Sequence, residues 1–514
     1  MNKKIHLILV IILCVSAAVY AAWQMTWTTA QGIGVSPDST IYLVTAENVQ
    51  QGRGFSFNGE PMTHYPPGYP LALVFGGLFS PDLDAVARWM NVALYDLNGL
   101  LFGWIAYKAT QKNLLGLLAA LLLFYTSKAV LTLHAWAWSE PLFLLLTFLT
   151  ILLFHRYFST DKPGYLVGAA LALALTITVR YLGVALLPPL LLILLLHKQH
   201  TRKKRWGNLA AVTTLSILPL LAWFLRNILL TSHAANRVLN YHPLSSGKYH
   251  NAVETLYKFL SPDTAAWLVH LSILLIFVVL MIAVFLGLRE QGKLSIPGGG
   301  SGALVALACG LYVLTYLTLL VISVTFFDAS TPLDERLLAP LYLFTSLMTL
   351  SALRIYAQEE GKKLVWVACL LAAFVSAGLN ISPLLQTATE NHTDGMGFNA
   401  TKWVESPILT ELTKVDSNIT IYSNGSDAIL YKTGRQTSYL PAKYASTSMI
   451  KNGNYKADLN AMCSAIIDGR AVLVYLDNIA WRRYFAKEDE LTSKCNLPVL
   501  METSDGTIYG TNSN

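Results

Sequence analysis

Four short constellations in this chain carry residue types that could do chemistry, and each stands where an apolar run begins or ends. The first reads Ser36-Pro37-Asp38-Ser39-Thr40-Ile41-Tyr42, continues through Gly52-Arg53-Gly54 and closes with His64-Tyr65-Pro66-Pro67-Gly68-Tyr69-Pro70. Ser36 can cap a helix, Pro37 suits its first turn, Asp38 falls near its positive end, and Gly52 or Gly54 can end it. On that account Asp38 does no more than steady a helix terminus. The second constellation is Ser139-Glu140-Pro141, preceded by Trp136 and Trp138, where Glu140 is equally well a first-turn acid beside an interfacial aromatic belt. The third is Arg180-Tyr181, which interrupts two apolar runs. An arginine near membrane depth is costly unless paired or wetted, so function is its default reading, with a snorkelling arginine in a short turn as the alternative. The fourth is Asp334-Glu335-Arg336, a charged triplet before another apolar run, where helix capping by the two acids is again a simple account. Arg226-Asn227 reads more easily as an interface anchor, and His64 as a polar loop residue rather than a metal ligand.

The elements that must hold these residues are membrane helices. Hydrophobic residues make up 54% of 514 positions and charged residues 13%, too few charges to cover a water-soluble globule of this size. Apolar runs of roughly 17 to 25 residues, enough to cross a bilayer, recur about eleven times between Ile5–Trp23 and Leu364–Asn380. Between them lie Trp89–Tyr107, Leu114–Tyr125, Leu142–His155, Tyr165–Val179, Leu182–Leu196, Leu209–Leu230, Trp267–Leu288, Leu304–Phe326 and Leu337–Leu353, several of them short enough to be tilted, broken or re-entrant. The net charge of +7 matters through its distribution, which sets orientation and does not call for nucleic acid. Lys3 and Lys4, the cluster Lys198, Arg202, Lys203, Lys204 and Arg205, and the pair Lys362 and Lys363 are expected on the cytoplasmic side. The N-terminus is then cytoplasmic, the first span is a retained anchor, and the loop 24–88 and everything after Ile381 face outward.

The expected division is a transmembrane domain, 1–382, and an extracytoplasmic module, 383–514, of mixed α/β or α+β character. Short β-rich runs at Ile419–Tyr422, Ala471–Tyr475 and Thr507–Tyr509 alternate there with a helical stretch at Tyr455–Ile467. Cys14, Cys309 and Cys369 fall in apolar runs, whereas Cys463 and Cys495 lie in the module, where oxidising conditions would permit a disulfide that spacing alone cannot assign. Asn391, Asn399, Asn418 and Asn424 each begin a glycosylation sequon, and Ile296–Gly302 reads as a cytoplasmic loop. A Walker-type loop, paired CxxC motifs and a His-Glu-x-x-His helix are all missing, which weakens readings as an ATP-driven pump, zinc-finger protein or zincin.

An acid soon after the first span, an amphipathic helix, an aromatic-Pro-Pro turn and many later spans together resemble the GT-C glycosyltransferases. Within that superfamily the chain looks like the protein-mannosyltransferase and aminoarabinose-transferase-like enzymes that use polyprenyl-phosphate sugars. The likeness covers the layout to about Asn380 and is specific only in short pieces. It implies a mainly α polytopic membrane domain with a first-loop active site, and Asp38 matches the acid proposed as the base that activates the acceptor. Where the family often has adjacent acids this chain has Asp38-Ser39, and Tyr65, preceded by His64, replaces a lysine before the double proline, departures that fit a less characterised bacterial branch. By the same resemblance Glu140 organises the acceptor or a metal, Arg180 and Arg336 contact the donor phosphate, and Tyr65, Pro66 and Pro67, with His64, shape the loop. The chemistry is economical, since phosphate is a good leaving group and needs cations more than a general acid. A divalent metal is possible but not required by the sequence. The implied reaction moves a sugar from a polyprenyl-phosphate donor to an extracytoplasmic lipid, glycan or protein at a bacterial plasma or inner membrane. The rival classes are a membrane transporter or lipid flippase, whose interior charges would line a pathway, and a noncatalytic envelope-assembly protein.

Overall fold

The computed structural model describes residues 2–197, 200–259, 301–358 and 362–511, with a few isolated positions between 259 and 301. The Trp267–Leu288 run, most of Ile296–Gly302, and Lys198 lie outside the described residues. Helices occupy every other apolar run named above: α1 (Lys3–Thr28), α4 (Leu83–Ala109), the pair α5 (Leu114–Tyr125) and α6 (Lys128–Ala135), α7 (Glu140–Thr160), α8 (Pro163–Val179), α9 (Leu187–Leu196) behind a short 3-10 turn, and α10 (Arg202–Thr231), then the helices Ser301–Phe326, Glu335–Tyr356 and Lys363–Asp394. Between α1 and α4 come α2 (Pro37–Gln50) and α3 (Gly68–Gly76).

Among the described residues six of these helices are long and apolar enough to cross a membrane, or up to seven if the α5–α6 pair, bent by 57°, is one span. The expectation of about eleven also takes in shorter apolar runs and the Trp267–Leu288 run outside the described residues. α8 and the Tyr181–Leu196 segment are apolar but short, and α4 buries the polar side chains Asn91 and Asn98 in a helix of only moderate hydrophobicity. That polar face holds the junction between α6 and α7: the Asn91 amide donates to the His134 and Trp136 carbonyls at 2.8 and 2.7 Å, and Asn98 reaches the Pro141 carbonyl at 2.8 Å.

The expected division at 382/383 falls within a helix. Pro383 sits inside the Lys363–Asp394 helix, which ends only where Gly395 turns the chain at φ +69°. Beyond it lies a five-stranded mixed sheet in the order β4-β3-β5-β7-β6: β3 (Thr420–Ser423) runs parallel to β4 (Ser438–Tyr439) and β5 (Ala471–Leu476), while β7 (Gly506–Tyr509) is antiparallel to β5 and β6 (Val499–Thr503). A small hairpin in the first loop supplies β1 (Ser56–Phe57) and β2 (Glu60–Pro61). The Tyr455–Ile467 helix forms where the pattern places it, and Cys463 is disulfide-bonded to Cys495 with their Cα atoms 5.2 Å apart.

The first loop shares one of the C-terminal module's two cores, the other being built from module residues such as Leu459, Met462, Leu473 and Leu491. Tyr42, Leu43 and Tyr69 share one buried cluster with Phe398, Trp403, Ile429 and Val474. Polar seams join the same bodies: Asn58 donates to the Thr437 carbonyl at 2.8 Å, and the Tyr431 hydroxyl donates to Asp84. α2 is therefore clamped between the helical bundle and the sheet, so its first turn is a fixed point.

Candidate active site

Three chain segments cross beneath that first turn. Gly34 N donates to the Ala135 carbonyl and Ala137 N to the Gly34 carbonyl, both at 2.8 Å, while Phe398 N donates to the Val35 carbonyl at 2.8 Å. The crossing is tight enough to demand glycine at Gly397, whose φ is +56° and where a β-carbon would collide with the Val35 backbone. This knot fixes Ser36, which caps α2 by accepting from Ser39 N at 3.2 Å, and aims Asp38 inward. It also fixes the Trp136–Glu140 strip: Trp138 stacks on Trp136 at 5.1 Å and donates its indole N–H to Ser36 Oγ at 2.8 Å.

Asp38, Glu140, Arg180 and Arg336 meet in one ion-pair cluster. Arg336, at the first turn of the Glu335–Tyr356 helix, gives Nη1 to Asp38 Oδ2 at 2.6 Å and Nε to Glu140 Oε1, and its guanidinium lies 4.6 Å from the centre of the Trp138 ring. Arg180, the residue that ends α8, pairs with Glu140 and donates to Ser139 Oγ at 3.1 Å. Two carboxylates thus face two guanidiniums, and the cluster is neutral as it stands. Glu140 is almost fully enclosed, its side chain 2% exposed, whereas Asp38 keeps 28% of its side chain accessible.

Tyr65 completes the surroundings of Asp38, donating its hydroxyl to Oδ1 at 2.6 Å, and it packs edge-on against the buried Tyr42 ring at 5.0 Å. Burial pushes the Asp38 carboxyl up, but the Arg336 charge and the Tyr65 hydrogen bond outweigh it and hold the group below its ordinary value. Burial, reinforced by the Asp38 charge, pushes the Tyr65 hydroxyl well up, so it stays a donor. Pro66 and Pro67 lead into α3, with Pro67 as its cap. Gly68 follows because α3 abuts the end of α8, where a β-carbon would lie 2.6 Å from the Thr178 carbonyl oxygen.

His64 stands one residue aside from the cluster, its ring edge-on to Tyr65 at 4.7 Å and its Nε2 3.5 Å from Arg237 Nη2. Burial first, and then the Arg237 charge, pull its pKa down to about 4, so it is neutral at physiological pH. Arg226 is committed elsewhere, donating to the Met62 and Phe55 carbonyls at 2.8 and 2.9 Å and thereby holding the hairpin onto α10. Among the described residues no group of three or more His, Cys, Asp or Glu side chains is arranged to hold a metal ion. Sequence reasoning gave no role to Tyr42 or Arg237; nothing in their local patterns distinguishes a tyrosine on α2 or an arginine in a polar loop.

The fold, a helical bundle with a C-terminal module packed on its first loop, is similar to that of several solved structures. Residues 66–223 match the dolichyl-phosphate-mannose-protein mannosyltransferase family. No curated protein matches the chain. Among solved structures, ArnT from Cupriavidus metallidurans bound to undecaprenyl phosphate matches at 11% identity and a TM-score of 0.55, over 98% of both chains. The mycobacterial arabinofuranosyltransferase AftD matches at 14% identity and 0.53, over 98% of this chain and 40% of its own. The oligosaccharyltransferase AglB from Archaeoglobus fulgidus, in complex with an inhibitory peptide and a dolichol-phosphate, matches at 10% and 0.50, over 91% of this chain and 70% of its own. The family match covers residues 66–223, a minority of the chain, and the likeness to the solved structures is one of fold.

Proposed function

We propose that the protein transfers a sugar from a polyprenyl-phosphate donor to an acceptor on the outer face of the membrane. The observation that carries this reading is Arg336 bridging Asp38 and Glu140 at the mouth of the bundle, with Arg180 completing the cluster. The donor class is carried over from the ligands of the ArnT and AglB matches, undecaprenyl phosphate and dolichol-phosphate. Outward orientation is supported by the basic residues Arg202, Lys203, Lys204 and Arg205, which lie at the opposite end of α10 from Arg226 and the first-loop hairpin.

In this reaction the acceptor oxygen bonds to the anomeric carbon as the bond from that carbon to the phosphate oxygen breaks. The acceptor proton passes to the Asp38 carboxylate, and the departing polyprenyl phosphate is held by Arg336 and Arg180. Glu140 keeps the two guanidiniums together at a spacing that a phosphate can bridge. Tyr65 orients the carboxylate by occupying Oδ1, leaving Oδ2, which Arg336 now takes, as the atom that accepts the proton once the guanidinium turns to the phosphate.

The test is Asp38→Asn in the purified protein, supplied with a synthetic polyprenyl-phosphate sugar and envelope acceptors. Transfer is expected to fall by about 10²- to 10⁴-fold, the usual contribution of a positioned general base, while the thermal midpoint changes little. Near-normal transfer by the Asn variant would remove Asp38 from the mechanism.

A further inference from the structure

Arg336 stands at one end of a line of contacts that runs through Asp38 and Tyr65 to His64; at the other end stands Arg237. Arg237 is placed by a loop pinned at both sides. The Asn227 amide donates to the Ala234 carbonyl at 2.8 Å, and Asn240 N and His242 N donate to the Phe326 and Thr325 carbonyls at 2.8 and 2.7 Å. Its Nη1 pairs with Asp328 at 3.3 Å, a long contact for a guanidinium, and its Nη2 reaches the neutral His64 ring. Among the described residues the buried Nε has no hydrogen-bond partner.

A second cation joins it. Lys248 lays its ammonium against the backbone carbonyls of Ala329 and Thr331, on the loop that carries Asp328. Burial pulls this ammonium below its ordinary value, against the opposing field of Asp328. Asp328 therefore pairs with Arg237 and lies within the field of Lys248, one carboxylate near two cations, in contrast to the balanced cluster around Arg336. The C-terminal module touches the same loop, with Ser330 N donating to the Thr447 carbonyl at 3.3 Å, so the surplus charge lies on the seam between module and bundle.

We propose that Arg237 and Lys248 form an oxyanion site that recognises an acidic group, a phosphate or carboxylate, on the acceptor. This rests on the transferase reading. An acceptor oxygen attacks from the side where its base stands, away from the departing phosphate, and Arg237 follows Tyr65 and His64 in the line of contacts that leads from Arg336 through Asp38. The donor also carries a phosphate, so the experiment has to separate the two sources.

The purified full-length protein in nanodiscs is titrated with inorganic phosphate, with and without saturating polyprenyl phosphate, and its thermal midpoint is followed. The midpoint is expected to rise saturably with phosphate, and the rise to persist on top of that given by polyprenyl phosphate. Arg237→Gln should weaken the apparent phosphate affinity by about tenfold or more, the loss of one charge-assisted hydrogen bond, with Arg237→Lys retaining part of it and Arg336→Gln leaving it intact. Asp328→Asn should tighten phosphate binding, because it frees Arg237; a merely structural pair would lose stability in both variants without altering the phosphate response. Unchanged protection in Arg237→Gln overturns the site. Protection abolished by polyprenyl phosphate assigns the cations to the donor and overturns the acceptor role. The readout is anion binding, so a protein in which Asp38→Asn leaves transfer untouched could still pass it, and the two readings fail separately.

Discussion

Neutralising Glu140 is expected to be the most damaging isosteric change in the cluster, and for a reason that separates architecture from chemistry. The Glu140 side chain is 2% exposed and its carboxylate answers both Arg180 and Arg336. Glu140→Gln leaves two guanidiniums side by side with only Asp38 to share, and breaking a buried pair from one side typically costs about 3–5 kcal/mol. Asp38→Asn removes a carboxylate that is 28% exposed and sits at a helix N-terminus. Its cost is the helix-end charge, about 0.3–1 kcal/mol, plus a partly solvated pair of about 0–1 kcal/mol. Thermal midpoints of the detergent-purified variants should therefore fall much further for Glu140→Gln than for Asp38→Asn. The double variant Glu140→Gln/Arg336→Gln removes one charge of each sign, and a coupling of about 0.5–3 kcal/mol should make it more stable than the sum of the single changes. It should recover no transfer. A Glu140→Gln midpoint no lower than that of Asp38→Asn, or strict additivity in the double variant, would refute the view that Glu140 holds the two arginines together.

Arg336→Ala should weaken donor use, and Arg336→Lys should retain the more activity if charge outweighs the two-point geometry seen with Asp38 and Glu140; unchanged donor kinetics in both would return Arg336 to a structural role. Because Arg336 and Tyr65 hold the Asp38 carboxyl below its ordinary value and His64 titrates at about 4, kcat/KM should show no acid limb from either group between pH 5 and 8. In stability both are depressed groups, so their contributions are complete above the unfolded pKa and lost as pH falls. For His64 that loss runs from its ordinary 6.5 down to about 4, and His64→Gln should flatten the midpoint-against-pH curve in that window; an unaltered curve would place the ring in water. Cysteine labelling should find Lys203 reachable from the cytoplasm and Asn418 from outside, both being exposed, whereas Asn424 is too buried to report; reversed accessibility would overturn the outward site.

The sequence shows most where one physical rule acts alone. Ser36-Pro37-Asp38 is a complete helix start, and α2 begins there; the strands β3, β5 and β7 and the Tyr455–Ile467 helix fall close to the runs that suggest them. Each of Asp38, Glu140, Arg180 and Arg336 stands out as a charge at the end of an apolar run, but each also has a capping or snorkelling explanation. Only proximity decides between them, and proximity depends on the crossing of Gly34, Ala137 and Phe398, three backbones far apart in sequence with no motif of their own. Helix ends are harder to read, since Pro383 stands inside the Lys363–Asp394 helix, which runs on to Gly395. Arg237 was invisible because its significance lies in having too little opposite charge, which is a property of neighbours and not of local pattern.

The neutrality of the central cluster bears directly on how a weak base could serve. As the protein stands, Arg336 occupies the same Asp38 oxygen that would accept the acceptor's proton. A carboxylate so held is stabilised as an anion and takes up a proton reluctantly. A phosphate oxygen that draws Arg336 away replaces a carboxylate with another anion at little electrostatic loss to the arginine, while it strips Asp38 of its main counter-charge. The base would then strengthen only when a donor is seated, and the competent nucleophile would arise only where it can be used. Free water meeting the cluster without donor finds Asp38 neutralised by its arginine. The same exchange requires a residue that keeps Arg336 from leaving altogether, and Glu140, buried and paired to Arg180 as well, supplies that tether.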